Sequence, residues 1–243
     1  MERTQCATVT FVGHSGFMIE ICRKLLVFDY FIDESNVAKS IDISRYDGVY
    51  VFVSHSHHDH FNPEIFKLFP NAIFVIANEV KLHCRRANFP ESTIFMKSNS
   101  ELSINDISIN AFSSTDVGVS FCVTISGSKI FHAGDLNNWH WADESTPQEI
   151  RKAEGDYQAI LRDIKAVTDT FQIAMFPVDA RIGSDYFRGA KQFTENFHIG
   201  HFFPMHFTGF TEEAFRFEKY ANKQEGKYHN LSTPGQLVSI NLN

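Results

Sequence analysis

Short runs of β-branched and aromatic residues dominate roughly the first half of the chain. Runs such as Leu25 to Phe28 and Ile107 to Phe112 predict strands, and the continuous apolar run from Val49 to Val53 predicts a buried one. Turn-forming pairs at Asn105-Asp106 and Gly127-Ser128 separate further runs and predict two hairpins. The pattern therefore indicates a β-rich first half.

Helical periodicity takes over from Thr146 onward. Thr146-Pro147-Gln148-Glu149 forms a capping box with proline at the first helical position, and apolar residues follow at three- and four-residue spacing. Further helices are predicted at Pro63 to Phe69, Asn78 to Asn88, Ser184 to Phe197 and Thr211 to Ala221, with strands at Ile173 to Phe176 and His201 to Phe203. Because no linker or repeat interrupts this order, we expect one α/β domain over residues 1–243.

Charge and cysteine content narrow the class of protein. The formal charge of −7 argues against a basic nucleic-acid surface. No secretory leader or apolar stretch of about 18 residues is found, so a soluble cytoplasmic protein without a membrane role is expected. Four scattered cysteines without a CxxC pair favour reduced thiols over a disulfide framework.

A cluster of histidines directly follows the buried strand predicted at Val49 to Val53. Four of the 12 histidines lie in the segment His55-Ser56-His57-His58-Asp59-His60. Imidazole is the commonest metal ligand in proteins, and packing alone gives histidines little reason to gather in a loop. Because side chains alternate along extended backbone, His55 and His57 can chelate one ion, while Asp59 and His60 offer a mixed pair for a second.

The spacing His55-x-His57-x-Asp59-His60 resembles the signature of the metallo-β-lactamase superfamily. Further matches follow in the order of that family: Gly13-His14-Ser15, Phe28-Asp29, Phe131-His132-Ala133-Gly134-Asp135 and Pro204-Met205-His206. The resemblance implies the metallo-β-lactamase fold, a four-layer αβ/βα sandwich of the α/β class with a metal site between its sheets. Within the superfamily, the GHS and HAGD segments are most similar to the ascorbate-6-phosphate lactonase-like group.

The resemblance also assigns ligands to two divalent metal ions, expected to be Zn or Mn, with Fe left open. It implies that His55 and His57 bind the first ion, that Asp59, His60 and His206 bind the second, and that Asp135 bridges both. Asp59 is in addition a predicted catalytic residue that orients the nucleophilic water. A turn role for Asp135 and a core role for His206 are the alternatives.

One histidine of the family pattern is missing. The superfamily usually supplies a further histidine to the first metal from the loop ahead of the Gly-Asp strand, but residues 111–118 contain none. Asp116 is the strong ligand available there, and we expect it to take that place. An oxygen ligand makes the site harder and more tolerant of Mn or Fe. A turn-capping role for Asp116 is the alternative.

The segment after Asp135 is expected to form part of the substrate pocket. Trp139 and Trp141 flank His140, and the tryptophans would form a pocket wall while His140 donates a proton to the leaving group. Ordinary packing of this loop is an equally open alternative.

Three more residues are expected near the site. His14 lies in the opening GHS segment, and His132 is expected to position the ligands by hydrogen bonding, with simple strand packing as its alternative. Arg181 could offer a guanidinium to an anionic substrate, and a structural ion pair explains it equally well.

These residues together predict a metal-dependent hydrolase that acts on a small ester or lactone, with an anionic substrate left open. The alternatives are a phosphodiesterase or nuclease of the same superfamily and a non-catalytic metal-binding module. A di-iron redox protein on this fold is disfavoured, because His57 stands where flavodiiron proteins carry Glu. A small-molecule substrate, no nucleic acid and no membrane are the expected partners, and homo-oligomers are left open.

Overall fold

The computed structural model describes residues 5–221 and 226–242. Its strands are β1 Cys6–Gly13, β2 Gly16–Ile21, β3 Lys24–Phe28, β4 Gly48–Val53, β5 Ile73–Ala77, β6 Thr93–Met96, β7 Ser100–Ile104, β8 Ile107–Ser113, β9 Val119–Ile125, β10 Ser128–His132, β11 Thr170–Pro177, β12 His198–Met205, β13 Lys227–Tyr228 and β14 Leu237–Asn241. Its α-helices are α1 Val37–Ser40, α2 Ile65–Leu68, α3 Asn78–His83, α4 Pro147–Val167, α5 Arg188–Asn196, α6 Thr211–Phe215 and α7 Glu218–Ala221. The predicted α/β class is confirmed.

The chain divides into two compact units. Unit 1 combines Met1–Lys97 with Leu231–Asn243, and unit 2 comprises Ser98–Asn230. Each unit contains one seven-stranded sheet, in the order β14-β1-β2-β3-β4-β5-β6 for unit 1 and β13-β12-β11-β10-β9-β8-β7 for unit 2. The expectation of a single domain over residues 1–243 stays a prediction.

The sheet of unit 1 changes from antiparallel to parallel pairing at β3. Strands β1, β2 and β3 form an antiparallel meander, whereas β3, β4, β5 and β6 run parallel. Most of their apolar residues are buried, and the rings of Phe28 and Phe52 stack at 4.7 Å on neighbouring strands. The carboxyl ends of β3 and β4 consequently lie side by side at one edge of the sheet.

The sheet of unit 2 places three parallel strands next to an antiparallel meander. Strands β7 to β10 pair as antiparallel neighbours, which confirms the two predicted hairpins, and β10, β11 and β12 run parallel. Helix α4 crosses between β10 and β11. Its predicted capping box is present, with the Thr146 side chain accepting from the Glu149 N–H, and its apolar face buries Tyr157, Ile160 and Ile164.

Several predicted elements differ in extent. The helix predicted to Asn88 ends at His83, the helix predicted from Ser184 begins at Arg188, and the one predicted from Thr211 is interrupted between α6 and α7. The sequence pattern also missed β14, which pairs antiparallel with β1 from the opposite end of the chain. Such long-range pairing leaves no local signal. Within the described ranges, none of the helices combines the length and hydrophobicity that crossing a membrane requires.

Candidate metal centre

In unit 1, the edge formed by β3 and β4 carries the histidine loop, residues 55–60. Asp29 directly follows β3, while Ser54 and His55 directly follow β4. Because these strands are parallel neighbours, Asp29 is brought against the start of the histidine loop. The Asp29 N–H donates to the Phe52 carbonyl at 3.0 Å, and φ of Asp29 is +42°, an uncommon value for a residue with a side chain.

The Asp29 carboxylate is the centre of a buried hydrogen-bond network. It is 1% exposed and accepts from the Ser54 N–H at 2.7 Å, from the Ser54 hydroxyl at 2.6 Å and from His60 Nδ1 at 2.7 Å. A carboxylate only accepts, so the His60 proton lies on Nδ1. The lone pair of the neutral ring is then on Nε2, which is the arrangement found for histidines that bind metals.

The same network fixes the tautomer of His55. Ser54 has one hydroxyl proton, and this proton goes to Asp29. His55 Nδ1, 2.8 Å from the Ser54 hydroxyl oxygen, must therefore be the donor of that contact. His55 also presents the lone pair of Nε2, and its ring centroid lies 4.0 Å from that of His60.

The remaining side chains of this cluster lie further out. His14 Nε2 is 3.3 Å from Asp59 Oδ2, and this contact holds the pKa of Asp59 well below its usual range. His57 is exposed, with its ring centroid 4.6 Å from that of His55. Ligand atoms of His14, Asp59 and His60 lie within 4.8 Å of one another, as do those of Asp29, His55 and His60.

In unit 2, the carboxyl ends of three parallel strands carry a second cluster. Asp135 follows β10, Asp179 follows β11 and His206 directly follows β12. Asp179 is fully buried and accepts from His206 Nδ1 at 2.9 Å and from the Arg181 N–H at 2.9 Å. Burial opposes its ionisation, but the hydrogen bonds from His206 and Arg181 prevail and lower the pKa of Asp179 to about 2.

The contact between Asp179 and His206 determines what His206 presents to Asp135. His206 Nδ1 also lies 3.0 Å from Arg181 Nη2, which can only donate. When Nδ1 instead donates its proton to Asp179, the neutral His206 ring has a lone pair on Nε2, which lies 3.3 Å from Asp135 Oδ1. An imidazole lone pair and an ionised carboxylate repel each other at this distance unless a proton or a cation neutralises them. His206 also adopts a φ of +62°, and such backbone strain is concentrated at functional sites. The pair is thus arranged to receive a positive charge.

The loop after Asp135 is held by a hydrogen bond of its own and by close contacts with two other segments of unit 2. The Trp139 indole N–H donates to the Asp135 carbonyl at 2.7 Å, and its ring lies 5.7 Å from that of His206. The Thr115 hydroxyl donates to the Asn137 carbonyl at 2.6 Å. Gly189 is required here, because a Cβ at this position would lie 1.8 Å from Asn137 Oδ1. These contacts position the backbone that carries Asp135.

His140 is buried in this loop with a defined tautomer. Its Nδ1 lies 2.9 Å from the Asn138 carbonyl, which only accepts, so Nδ1 carries a proton. The Nε2 atom is buried and has no hydrogen-bond partner among the described residues. Trp141 stacks on Trp139 with centroids 6.1 Å apart. The predicted proton-donor role therefore requires the doubly protonated ring of His140.

Three other residues expected near the site, His132, Arg181 and Asp116, differ in burial and in their hydrogen-bond partners. His132 is buried at the end of β10, and its Nδ1 accepts from the Gly134 N–H at 3.1 Å, next to Asp135. Arg181 forms an ion pair with Asp179, and its side chain is 49% exposed. Asp116 is exposed in the loop between β8 and β9, and its N–H donates to the Ser114 hydroxyl at 3.3 Å.

Sequence reasoning missed the residues behind the ligands. The sequence pattern includes Asp29 only in the Phe28-Asp29 match and singles out neither Ser54 nor Asp179. One sequence signal points to both aspartates, because each lies within two residues of the end of a buried parallel strand.

The comparison with known families identifies the class of protein. A sequence model of the beta-lactamase superfamily domain matches residues 8–152, more than half of the chain. The chain therefore belongs to the beta-lactamase superfamily. A UPF0173 metal-dependent hydrolase of Flavobacterium johnsoniae is 30% identical over 82 residues, which span 33% of this chain and 36% of that relative. The match thus covers about a third of the relative's length.

Solved structures share the fold at low sequence identity. Igni18, a metallo hydrolase of Ignicoccus hospitalis, matches with a TM-score of 0.67 at 17% identity over 97% of this chain and 98% of that one. YhfI of Bacillus subtilis, a metallo-beta-lactamase fold protein, matches with 0.64 at 13% identity over 97% and 99%. CmlA of Streptomyces venezuelae, a diiron beta-hydroxylase, matches with 0.65 at 9% identity over 99% of this chain and 55% of that one. The predicted metallo-β-lactamase fold is confirmed.

Asp29→Asn should weaken zinc binding by about 10- to 100-fold. The substitution preserves volume, but an amide NH₂ in place of Oδ2 would face the donors at Ser54 and His60. His60 would then shift its proton to Nε2 and lose the lone pair that a metal needs. Competition with a chromophoric chelator measures the zinc affinity.

The matched control is Asp33→Asn in the same unit. Asp33 is also buried and accepts from the Val37 and Ala38 N–H groups at 2.8 and 2.9 Å, but from no histidine. This variant should lose stability with little change in zinc affinity. Equal zinc affinities for Asp29→Asn and the wild-type protein would contradict the positioning role of Asp29.

Proposed function

We propose that this chain is a metal-dependent hydrolase with two divalent metal ions. In this proposal His55 and His57 would hold the first ion, Asp59, His60 and His206 would hold the second, and Asp135 would be a ligand of both. Asp116 supplies the first ion with the oxygen ligand that replaces the missing histidine. Membership of the superfamily and the metal-dependent hydrolase of Flavobacterium johnsoniae support the assignment.

The observation that carries the proposal is the pair of buried carboxylate–imidazole contacts. Asp29 holds His60 at 2.7 Å in unit 1, and Asp179 holds His206 at 2.9 Å in unit 2. The Asp29 contact places the proton of His60 on Nδ1 and its lone pair on Nε2. The Asp179 contact does the same for His206 when Asp179, rather than Arg181 Nη2 at 3.0 Å, is the hydrogen-bond partner of Nδ1. In a protein core, a buried imidazole lone pair without a hydrogen-bond partner is unfavourable. In a metal site, that lone pair is the one that binds the ion. The donor set of imidazoles and carboxylates fits first-row divalent ions.

The residues around the proposed metal ions have different roles in the reaction. When bound, the metal ions supply a water of lowered pKa and stabilise the negative charge that develops on the substrate. Asp59 orients the nucleophile, and its low pKa keeps it ionised for that role. His140, with Nδ1 fixed by the Asn138 carbonyl, donates a proton from Nε2 to the leaving group. Trp139 and Trp141 form a wall of the substrate pocket.

We propose a small ester or lactone as substrate, on the similarity of the GHS and HAGD segments to the ascorbate-6-phosphate lactonase-like group. The acidic chain supports a small metabolite over nucleic acid. Arg181 can approach an anionic substrate with its exposed side chain while Asp179 anchors it. A cytoplasmic location is supported by the four cysteines, all of which are free.

The expected metal is Zn or Mn. The ligand set assigned to the first ion contains two imidazoles and two carboxylates, which is harder than an all-histidine site and accommodates Mn and Fe. The diiron beta-hydroxylase CmlA shows that this fold also accommodates iron in another protein.

The purified protein should carry close to two transition-metal ions per chain, because the proposed ligands exceed what one tetrahedral ion can use. Elemental analysis after mild dialysis, repeated after reconstitution with Zn or Mn, measures the stoichiometry.

Asp116→Ala should lower the affinity of one of the two metal sites, and Asp116→His should restore that affinity with a preference for Zn.

Two results would contradict these assignments. Recovery of less than half an ion per chain after reconstitution would contradict the proposal of a binuclear site. Two ions bound to Asp116→Ala with wild-type affinity would instead leave Asp116 as a turn residue.

Asp59→Asn should lower turnover by about 10²-fold or more, because the isosteric amide lacks the negative charge that orients the nucleophile. The measurement is hydrolysis of a panel of lactones, carboxylic esters and phosphodiesters, with metal content determined in parallel. Activity at the wild-type level on a responsive substrate would exclude Asp59 as a catalytic residue. Hydrolysis of phosphodiesters alone would show that the protein is a phosphodiesterase and not a lactonase.

A further inference from the structure

A cavity of about 890 Å³ lies within unit 1, beside helix α2 and the turn that follows α3. Phe66, Leu82 and Ala87 line its apolar part. Leu82 is 56% exposed and therefore leaves apolar surface open at the edge of this cavity. The volume is within the range of pockets that hold small molecules.

Three cationic side chains line the same cavity, Lys67, Arg85 and Arg86. Among the described residues none of the three forms an ion pair with a carboxylate. Arg85 is oriented by its Nε donating to the Leu82 carbonyl at 3.1 Å. This concentration of unpaired positive charge contrasts with the net charge of −7 of the chain. The cavity thus offers complementary charge to an anion.

The acidic side chain on helix α3 forms its hydrogen bonds with other partners. Glu79 on α3 accepts from the Ser56 N–H at 2.6 Å, from the Ser56 hydroxyl at 2.9 Å and from His83 Nδ1 at 2.8 Å. Its charge is therefore directed to the histidine loop and to His83, which leaves the three cations available to a ligand.

We propose that this cavity binds an amphipathic anion, a small molecule with an apolar body and a carboxylate or phosphate head. The apolar body would cover Phe66 and Leu82, and the head would be held by Lys67, Arg85 and Arg86, of which the arginines can form two-pronged hydrogen bonds. This site goes beyond the proposed hydrolase function, because none of these residues is a proposed metal ligand. The size of the cavity favours a free small molecule over a membrane surface.

Isothermal titration calorimetry with decanoate and with decyl phosphate, below their micellar concentrations, tests the proposal on the full chain as purified. Both should bind, 1-decanol should bind at least about tenfold more weakly, and EDTA should leave the binding of the anions unchanged. The combined variant Lys67→Gln, Arg86→Gln and the single variant Leu82→Ser should each weaken decanoate binding by about tenfold or more.

Matched control variants are available in the same unit. Lys39→Gln removes another exposed cation, and Leu237→Ser removes a leucine that is 57% exposed, close to the value for Leu82. Both should bind decanoate as the wild-type protein does. Equal affinity in all variants, or loss of binding with EDTA, would overturn the site. Binding to phosphatidylglycerol vesicles without binding of decanoate or decyl phosphate would also overturn it, in favour of a membrane contact.

Discussion

The candidate ligand cluster of each unit depends on the same interaction, a buried carboxylate that contacts Nδ1 of a histidine. Asp29 does this for His60 and Asp179 does it for His206. Each carboxylate also accepts backbone and side-chain donors, so its charge is compensated in a buried position. Removing such a carboxylate would free the imidazole to exchange tautomers, and the lone pair on Nε2 would no longer be assured.

Parallel strands explain why these pairs form where they do. Asp29 and His55 follow neighbouring strands of one sheet, and Asp135, Asp179 and His206 follow three neighbouring strands of the other. Residues that are far apart in the chain therefore meet because hydrogen bonding brings the strand ends to one edge. The uncommon positive φ values of Asp29 and His206 show that the backbone turns sharply directly after each strand.

The sequence predicted most strands, the helix from Thr146 and the histidine loop, since these depend on local periodicity, capping and spacing. It could not place Asp29 or Asp179 behind their histidines, because those contacts depend on which strands are neighbours. The strand Leu237–Asn241 was not predicted for the same reason, because it pairs with β1 at the other end of the chain. The cavity beside Leu82 was also missed, because it depends on how a helix end packs against residues elsewhere in the chain, and sequence periodicity gives no signal of this.

The tautomers of the histidines test the account most directly. Nitrogen-15 NMR of the uniformly labelled, metal-free protein at pH 8 distinguishes Nδ1–H from Nε2–H rings through long-range couplings to the ring carbon-bound protons. The account predicts the Nδ1–H form for His55, His60 and His206, whereas a free neutral imidazole in water favours the other form. Signals showing His60 and His206 protonated on Nε2 would contradict it, because those rings could not then offer Nε2 to a metal ion.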